Sequence, residues 1–143
     1  HNPANTKVAE VFSDPPINYL HCTIEGQSAR LGENIELPLT NHLQSLPAGQ
    51  YMLGVRSHHL SLNRTSPEDT EIRSKVQLAE INGSETFIHG HYADSRLVVQ
   101  EDGVHPYRMG AEISIYVHPS SFFVFDQAGA LVASPVGYTH EKP

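Results

Sequence analysis

The sequence has 143 residues, enough for one domain or for two small ones that share a core. Its formal net charge of -7, from 9 basic and 16 acidic residues, argues against a nucleic-acid groove, which needs clustered Lys and Arg. No run of about 18 apolar residues occurs, so no segment is predicted to span a bilayer, and the single Cys22 excludes an intramolecular disulfide.

The first predicted element is a short helical segment within residues 3–12, where Val8, Val11 and Phe12 are apolar at helical spacing. Pro15 and Pro16 end it, because proline has no N–H donor for a helix. The apolar face of this segment needs a cover, and the chain has no initiator Met. We therefore interpret the chain as part of a longer protein, with residues 1–19 as the end of a preceding domain and a linker.

From Leu20 onward the pattern is that of β-strands. Alternating apolar and polar residues predict strands over 20–25, 34–39 and 50–56. Pro38 removes a backbone donor from the second of these, which favours an edge position in a sheet. The polar stretch 61–74 is predicted to be a surface connection.

A second group of predicted strands follows this connection. Asn82 and Gly83 form a hairpin signal between two strand patterns, and the later patterns alternate as cleanly. The predicted strands of this group are 75–81, 86–92, 96–100, 112–117, 122–125 and 131–132.

Many short strands with almost no helix indicate an all-β fold, a small closed or nearly closed β-barrel. The predicted domain covers residues 20–133, in two strand groups at about 20–60 and 75–133. Residues 134–143 are polar and are predicted to be a flexible tail.

The order of several short motifs resembles a known family. Residues 3–20 resemble the junction that ends the nucleotide-binding domain in ATP-binding subunits of ABC importers, in the sugar and glycerol-phosphate subfamily related to the maltose importer's ATPase. Residues 54–60 resemble a Gly-Ile/Val-Arg-Pro-Glu-His segment of the C-terminal domain, with Ser57 and His58 in place of Pro and Glu. Residues 76–89, 110–112 and 123–129 resemble its later blocks, so the match covers almost the whole chain.

This resemblance implies a transport-associated OB domain, an OB-like barrel with a regulatory and dimerisation role. The implied partners are a second copy of the chain, the nucleotide-binding domain of the same polypeptide, membrane permease subunits and a regulatory protein, with no nucleic acid. ATP and Mg²⁺ would belong to the missing nucleotide-binding domain. The implied location is cytoplasmic, peripheral to the inner membrane, and the single thiol fits a reducing compartment.

The chain itself has no Gly-x-x-x-x-Gly-Lys-Ser/Thr phosphate loop, no ABC signature and no Asp-Glu pair for Mg²⁺ and water. We expect no ATP hydrolysis, no catalytic residue and no cofactor site in this fragment. Cys22 lies in a strand pattern without a convergent base and is interpreted as a packing residue.

The candidate site residues divide into a linker and a set of interface or regulatory positions. Paired prolines stiffen a connection, so a moving ATPase domain would rotate the barrel as a rigid body. The linker candidates are Pro15, Pro16 and Asn18, and the interface or regulatory candidates are Gly54, Arg56, His59, Gly83, Ser84 and Glu85.

Each of these positions has an alternative interpretation. The prolines would otherwise only end the helix. Arg56 would bind an anion or form a salt bridge, with the salt bridge favoured, and His59 is favoured as a packing residue. Glu85, at the hairpin tip, would contact a partner or remain solvated.

Two further functions stay open as alternatives to the importer domain. One is a ligand-sensing OB module for a small molecule or anion. The other is a metal-binding cupin-like barrel, because Gly83 followed by His89 and His91 matches the opening of a cupin motif. Ser95 and Arg96 stand where that motif requires Glu, which argues against the metal site.

Overall fold

A computed structural model describes residues 17–135 of the chain. Within this range the regular structure is ten β-strands and three short 3₁₀ turns. The strands are β1 Ile17–Glu25, β2 Ser28–Leu31, β3 Ile35–Leu37, β4 Gly49–Arg56, β5 Thr70–Asn82, β6 Glu85–Tyr92, β7 Ser95–Asp102, β8 Glu112–Val117, β9 Phe123–Phe125 and β10 Leu131–Ala133. The turns are η1 Asn41–Leu43, η2 Ser57–His59 and η3 Pro119–Ser121.

The strands form two antiparallel sheets. A six-stranded sheet has the order β10-β9-β4-β1-β2-β3, and a four-stranded sheet has the order β7-β6-β5-β8. The all-β, OB-like fold class predicted from the sequence is confirmed. The predicted helical segment at residues 3–12, the linker prolines Pro15 and Pro16, and the tail beyond residue 135 lie outside the described residues.

The two strand groups predicted from the sequence do not coincide with the two sheets. β9 and β10 come from the end of the second group, yet β9 pairs with β4, with Leu53 opposite Val124 and Gly54 opposite Phe123. All three residues of β9 are buried, so this strand needs apolar cover on both of its faces. Val124 packs into the main core on one face, and Phe123 and Phe125 pack into a second apolar cluster on the other.

One apolar core fills the space between the sheets. Along β1, Leu20, Cys22 and Ile24 face this core, because alternate residues of a strand point to the same side. The other sheet contributes inward-facing residues of β5 to β8, including Ile72, Ile88, Leu97 and Ile115.

Two strands begin several residues earlier than the sequence pattern predicted. β1 begins at Ile17 rather than Leu20, so the last part of the predicted linker is already paired with β4. β5 begins at Thr70, inside the predicted polar connection. Thr70 and Ser74 point inward beside Ile72, and their polar side chains made this strand look like a loop.

Turn geometry follows the residues that the sequence supplies. The predicted hairpin is confirmed: Asn82 pairs with Glu85, and Gly83 takes a φ of 67° at the first position of the two-residue turn. Pro38 falls just after β3, which is an edge strand as predicted.

Candidate functional site at the junction of the sheets

One side chain of β1 forms hydrogen bonds to a strand of the other sheet. Asn18 of β1 is buried, with 4% of its surface exposed. Its Oδ1 accepts a hydrogen bond from the Val98 N–H at 2.9 Å, and its Nδ2 donates to the Val98 carbonyl at 3.0 Å. The side-chain amide thus gives β7 the donor and acceptor that a neighbouring strand would give. We call Asn18 and Val98 the sheet joint.

The sheet joint continues into η2. The Asn18 Nδ2 also lies 3.4 Å from the Ser57 Oγ, and Ser57 is fully buried. Because η2 directly follows β4, this contact connects β1, β4 and β7 at one point. Buried polar groups are costly when left without partners, so the geometry here is strongly specified.

Arg56 and the two histidines of η2 lie beside the joint. The Arg56 guanidinium lies over the Phe123 ring, 5.5 Å from its centroid, as a cation–π contact. The rings of His58 and His59 are 4.2 Å apart. Partial burial lowers the pKa of both histidines, and the nearby positive charge of Arg56 lowers the pKa of each further.

A cleft of about 390 Å³ opens between η2 and the end of β7. His58, Gln100, Glu101 and Asp102 line it, so its wall is polar and largely acidic. The Gln100 Nε2 donates to the Glu85 Oε2 at 2.8 Å, whereas the buried Gln100 Oε1 has no hydrogen-bond partner among residues 17–135. Glu85 therefore supports the cleft wall through Gln100.

The rest of the predicted hairpin motif lies beyond this cleft. The Ser84 carbonyl accepts a hydrogen bond from the Gly103 N–H at 2.7 Å, which ties the hairpin tip to the end of β7. Glu85 is partly buried rather than fully solvated. Gly83 has no atom within 4 Å of where a Cβ would lie, so its role is conformational.

Gly54 lies on the opposite face of the six-stranded sheet, away from the cleft. A Cβ there would lie 3.0 Å from Ile17 Cγ2 and 3.2 Å from Phe125 Cε2. Ile17, Phe123 and Phe125 form a second buried apolar cluster on this face. The lack of a side chain at Gly54 lets that cluster close over β4.

The site includes partners that the sequence analysis did not identify, namely Ser57, Val98 and Gln100. Ser57 was noted only as a departure from the family segment. Val98 contributes main-chain atoms, which leave no signal in a sequence. Gln100 sits in an ordinary strand pattern, and only the fold brings it to Glu85.

His89 and His91, the histidines of the cupin-like pattern, have different surroundings in the structure. The His89 Nε2 lies 3.0 Å from the Glu80 Oε1, and His91 is exposed. Within residues 17–135, no three His, Cys, Asp or Glu side chains come together as metal ligands would. Cys22 is 2% exposed, and burial raises the pKa of its thiol to about 11, as expected for a packing residue.

Comparison with known proteins places this barrel in a family. The family model of the TOBE domain matches residues 53–125, just over half of the chain. This stretch runs from β4, which carries Arg56, through the cleft and the hairpin to β9. The chain belongs to the TOBE domain family.

Several of the relatives that the chain matches are import ATP-binding proteins. The sn-glycerol-3-phosphate import ATP-binding protein of Agrobacterium fabrum is 28% identical over 89% of this chain and 35% of its own length. The xylose/arabinose import ATP-binding protein of Haloferax volcanii is 25% identical over 88% of this chain and 36% of its own length. An Escherichia coli sn-glycerol-3-phosphate import ATP-binding protein is 28% identical over 81% of this chain and 32% of its own length. The chain spans about a third of the length of these relatives.

A solved structure shares the fold. The cytoplasmic molybdate-binding protein ModG superposes with a TM-score of 0.58 at 15% identity, over 75% of this chain and 94% of its own. None of the helical turns between residues 17 and 135 has the length and apolar character that crossing a membrane requires.

Proposed function

We propose that this chain is the C-terminal regulatory and dimerisation domain of the ATP-binding subunit of a bacterial ABC importer for sugars or polyol phosphates. The relatives described above include import proteins for sn-glycerol 3-phosphate and for xylose or arabinose, which supports this substrate class. The sheet joint supports the part of the proposal that concerns transmission of motion from the ATPase domain. It sits at the point where a preceding domain would be attached.

The sheet joint makes the domain respond to its linker as one body. β1 starts at Ile17, one residue after Pro16, and is paired with β4 along its length. Asn18 adds a direct bond to β7 in the other sheet. A rotation of the linker would therefore rotate both sheets together, because the contact between the sheets does not deform. Pro15 and Pro16 limit the backbone freedom of the segment before it.

Exposed apolar residues support the dimerisation part. Val104 and Met109 are 60% and 71% exposed, and both lie in the loop that follows β7. Ile81, 56% exposed, pairs with Thr86, whose Oγ1 accepts from the His105 N–H at 3.0 Å. The loop that carries Val104 is thus bonded to the residue that lies opposite Ile81 in the β5–β6 hairpin. Burial of such residues against a second copy is the contact expected of an isologous dimer.

The remaining partners follow from this role. The domain would be joined to a nucleotide-binding domain that holds ATP and Mg²⁺. Through the complete subunit it would meet membrane permease subunits at the cytoplasmic face of the inner membrane, and a regulatory protein would act on its exposed surfaces. The fragment would contribute position and effective concentration rather than chemistry.

A domain exchange tests the proposal. The matching C-terminal segment of the E. coli sn-glycerol-3-phosphate import ATP-binding protein is replaced by residues 17–143 of this chain, and uptake of sn-glycerol 3-phosphate is measured in cells lacking the native subunit. We expect the hybrid to restore uptake that a truncated subunit does not. A folded hybrid with uptake no better than the truncated subunit would contradict the proposal. The same hybrid carrying Asn18→Ala is expected to lose much of the restored uptake, whereas Asn63→Ala is the matched control.

A second function, sensing of a small polyol, is favoured by one observation. The buried Gln100 Oε1 lacks a partner in the described part of the chain, at the wall of a cleft that also carries Glu101 and Asp102. Carboxylates and amides are suitable groups for binding hydroxyls. In the hybrid transporter, inhibition by accumulated cytoplasmic substrate that disappears with Glu85→Gln, but not with Glu36→Gln, would support this function. Absence of inhibition, or equal inhibition in both variants, would exclude it.

A further inference from the structure

The tip of the β5–β6 hairpin carries a dipeptide, Asn82-Gly83, whose side-chain chemistry the proposed function does not use. Asn82 is the last residue of β5 and pairs with Glu85, the first residue of β6. Asn82 and Gly83 are both exposed to solvent. Asn82 is the one asparagine of the sequence that a glycine follows.

An asparagine side chain can react with the backbone of the residue that follows it. The backbone nitrogen of that residue, once it has lost its proton, attacks the side-chain carbonyl carbon. A new C–N bond forms, the bond to the side-chain nitrogen breaks, and ammonia leaves. Water then opens the cyclic imide at either of its carbonyl groups, which gives aspartate or isoaspartate. Glycine favours the attack because it has no Cβ to obstruct it.

The two reacting groups are free at the hairpin tip. Among residues 17–135, neither the Asn82 side chain nor the Gly83 N–H has a hydrogen-bond partner. No atom lies within 4 Å of the position that a Cβ of Gly83 would occupy. No contact in the described chain therefore holds the side-chain amide away from the Gly83 nitrogen, and solvent water has access to both groups.

Only the last turn of the hairpin has to open for the attack. The turn is held by the pairing of Asn82 with Glu85 and by the Gly103 N–H, which donates to the Ser84 carbonyl at 2.7 Å. Gly83 has a φ of 67°, and glycine leaves this conformation for others at little cost. The end of an exposed hairpin opens more readily than the centre of a sheet.

Two other asparagines of the barrel lack this combination. The Asn34 Oδ1 accepts a hydrogen bond from the Tyr92 hydroxyl at 3.2 Å, and the β-branched Ile35 follows it. Asn63 is exposed, but Arg64 follows it, and a residue with a side chain obstructs the attack. Asn63 is therefore a control within the same molecule.

We propose that Asn82 is a site of spontaneous deamidation, which gives the neutral hairpin tip a negative charge. The new carboxylate lies opposite Glu85, which itself lies opposite Asp102 of β7. Like charges opposite each other on a sheet repel. The Glu85 Oε2 also accepts from the Gln100 Nε2 at 2.8 Å, so the reaction loosens the cleft wall that this bond supports. The isoaspartate product adds a carbon to the backbone, which breaks the pairing of residues 82 and 85.

The reaction also alters the proposed contact between two copies of the chain. Ile81, which is 56% exposed, directly precedes Asn82. A charge beside this apolar residue has to lose water when the surfaces meet, so association becomes weaker. This consequence rests on the proposed dimerisation, whereas the reaction at Asn82 does not.

Mass spectrometry of the folded 143-residue chain tests the reaction. The protein is kept at neutral and at mildly alkaline pH and is then digested briefly with trypsin. Cleavage gives a peptide of residues 76–96, in which Asn82 is the only asparagine, and a peptide of residues 57–64, which contains Asn63. We expect loss of the amide form of the first peptide and growth of two acid forms, faster at alkaline pH because the attacking nitrogen must lose its proton. The second peptide is expected to keep its amide.

Substitutions separate the reaction from its consequences. Asn82→Gln moves the carbonyl carbon further from the Gly83 nitrogen and is expected to abolish the acid forms. Asn82→Asp gives the charged product directly and should lower the midpoint of urea unfolding and shift dimer formation to higher concentration. Asn63→Asp adds the same charge at another exposed position and should change neither. If the parent chain does not dimerise, the proposed function fails while the mass measurement still decides the reaction.

Three results would overturn the proposal. One is an intact Asn82 amide in the folded chain under conditions that convert it in the urea-unfolded chain, since the turn would then protect it. Another is equal conversion of Asn63, which would show that the hairpin tip has no special reactivity. The third is the same urea midpoint for Asn82→Asp and Asn63→Asp, which would remove the structural consequence of the charge.

Discussion

The side-chain amide of Asn18 and the main chain of Val98 are joined by two hydrogen bonds, at 2.9 and 3.0 Å. β1 and β7 belong to different sheets and do not pair as strands, so these bonds connect the two sheets directly. At another point of the same two sheets, the Tyr92 hydroxyl of β6 donates to the Leu31 carbonyl of β2 at 3.2 Å.

Loss of the sheet joint is expected to weaken the whole domain. Asn18→Ala leaves the Val98 N–H and carbonyl without their partner in a partly buried region, which should lower the free energy of unfolding by about 2 kcal/mol. Urea unfolding followed by circular dichroism measures the change. Asn63→Ala, at an exposed position, should change stability by no more than about 0.5 kcal/mol. Equal effects of the two substitutions would show that the joint contributes nothing.

Substitution of two glycines by alanine compares two contributions to the free energy of unfolding, namely backbone strain and a close side-chain contact. Gly26 and Gly32 have φ values of 59° and 62°, but only Gly32 has a neighbour, since a Cβ there would lie 2.7 Å from the Tyr92 hydroxyl oxygen. Gly26→Ala should lower the free energy of unfolding by about 1 kcal/mol because of backbone strain. Gly32→Ala should cost about 2 kcal/mol more, because the Tyr92 ring must move. Thermal unfolding of both variants gives the comparison.

The role of Tyr92 in that comparison is checked by a double substitution. In a Tyr92→Leu background, the cost of Gly32→Ala should fall toward that of Gly26→Ala, because the contact is removed. If the cost stays the same, the ring of Tyr92 is not the reason for the glycine.

Cys22 should be unreactive in the folded protein. With a pKa of about 11, only about one thiol in a thousand is ionised at about pH 8, and the side chain is buried among core residues. We expect a thiol reagent to label Cys22 far more slowly in the native protein than in urea. Labelling of the native protein as fast as of the unfolded chain would mean that the β1 core face is open.

His42 should titrate below the ordinary histidine range. Burial lowers the pKa of its imidazole from 6.5, although the hydrogen bond to the Phe122 carbonyl, 2.7 Å from Nε2, opposes this. The Nδ1 is buried without a partner in the described chain, so a proton there would have no acceptor. Nuclear magnetic resonance titration should place the midpoint below 6.5. A midpoint at or above that value would contradict the geometry.

The lowered pKa of His42 also sets the direction of the pH dependence of stability. Because the folded pKa lies below the unfolded one, the unfolded chain binds more protons as the pH falls through 6.5. The contribution of His42 to stability is therefore present at neutral pH and decreases toward acid. His58 and His59 act in the same direction. Urea unfolding should show a smaller acid-induced loss in His42→Gln than in the parent.

The sequence predicted those elements in which one face is apolar and the other polar. β8 is such a strand, and its predicted bounds, residues 112–117, agree with the structure. The start of β5 was not predicted, because Thr70 and Ser74 are polar residues that point inward. The pairing of β9 with β4 could not be predicted either, since it joins residues about 70 positions apart and depends on how the barrel closes.

The candidate site was predictable only in part, for a similar reason. Asn18, Arg56 and Glu85 were identified as single positions from the family resemblance. Their contacts could not be predicted from the sequence. Asn18 bonds to the main chain of β7, Arg56 lies over the ring of Phe123, and Glu85 accepts from the amide of Gln100. Such contacts depend on which strands become neighbours, and periodicity along one strand does not contain that information.

Sedimentation velocity of the isolated chain tests the proposed dimerisation role most directly. From low to high micromolar concentration, we expect the 15.8 kDa chain to shift toward a species of twice that mass. Val104→Asp and Met109→Asp should abolish the shift, because each places a charge in the proposed contact, whereas Val132→Asp, at an exposed position of β10, should not. A chain that remains monomeric at high micromolar concentration would contradict the account.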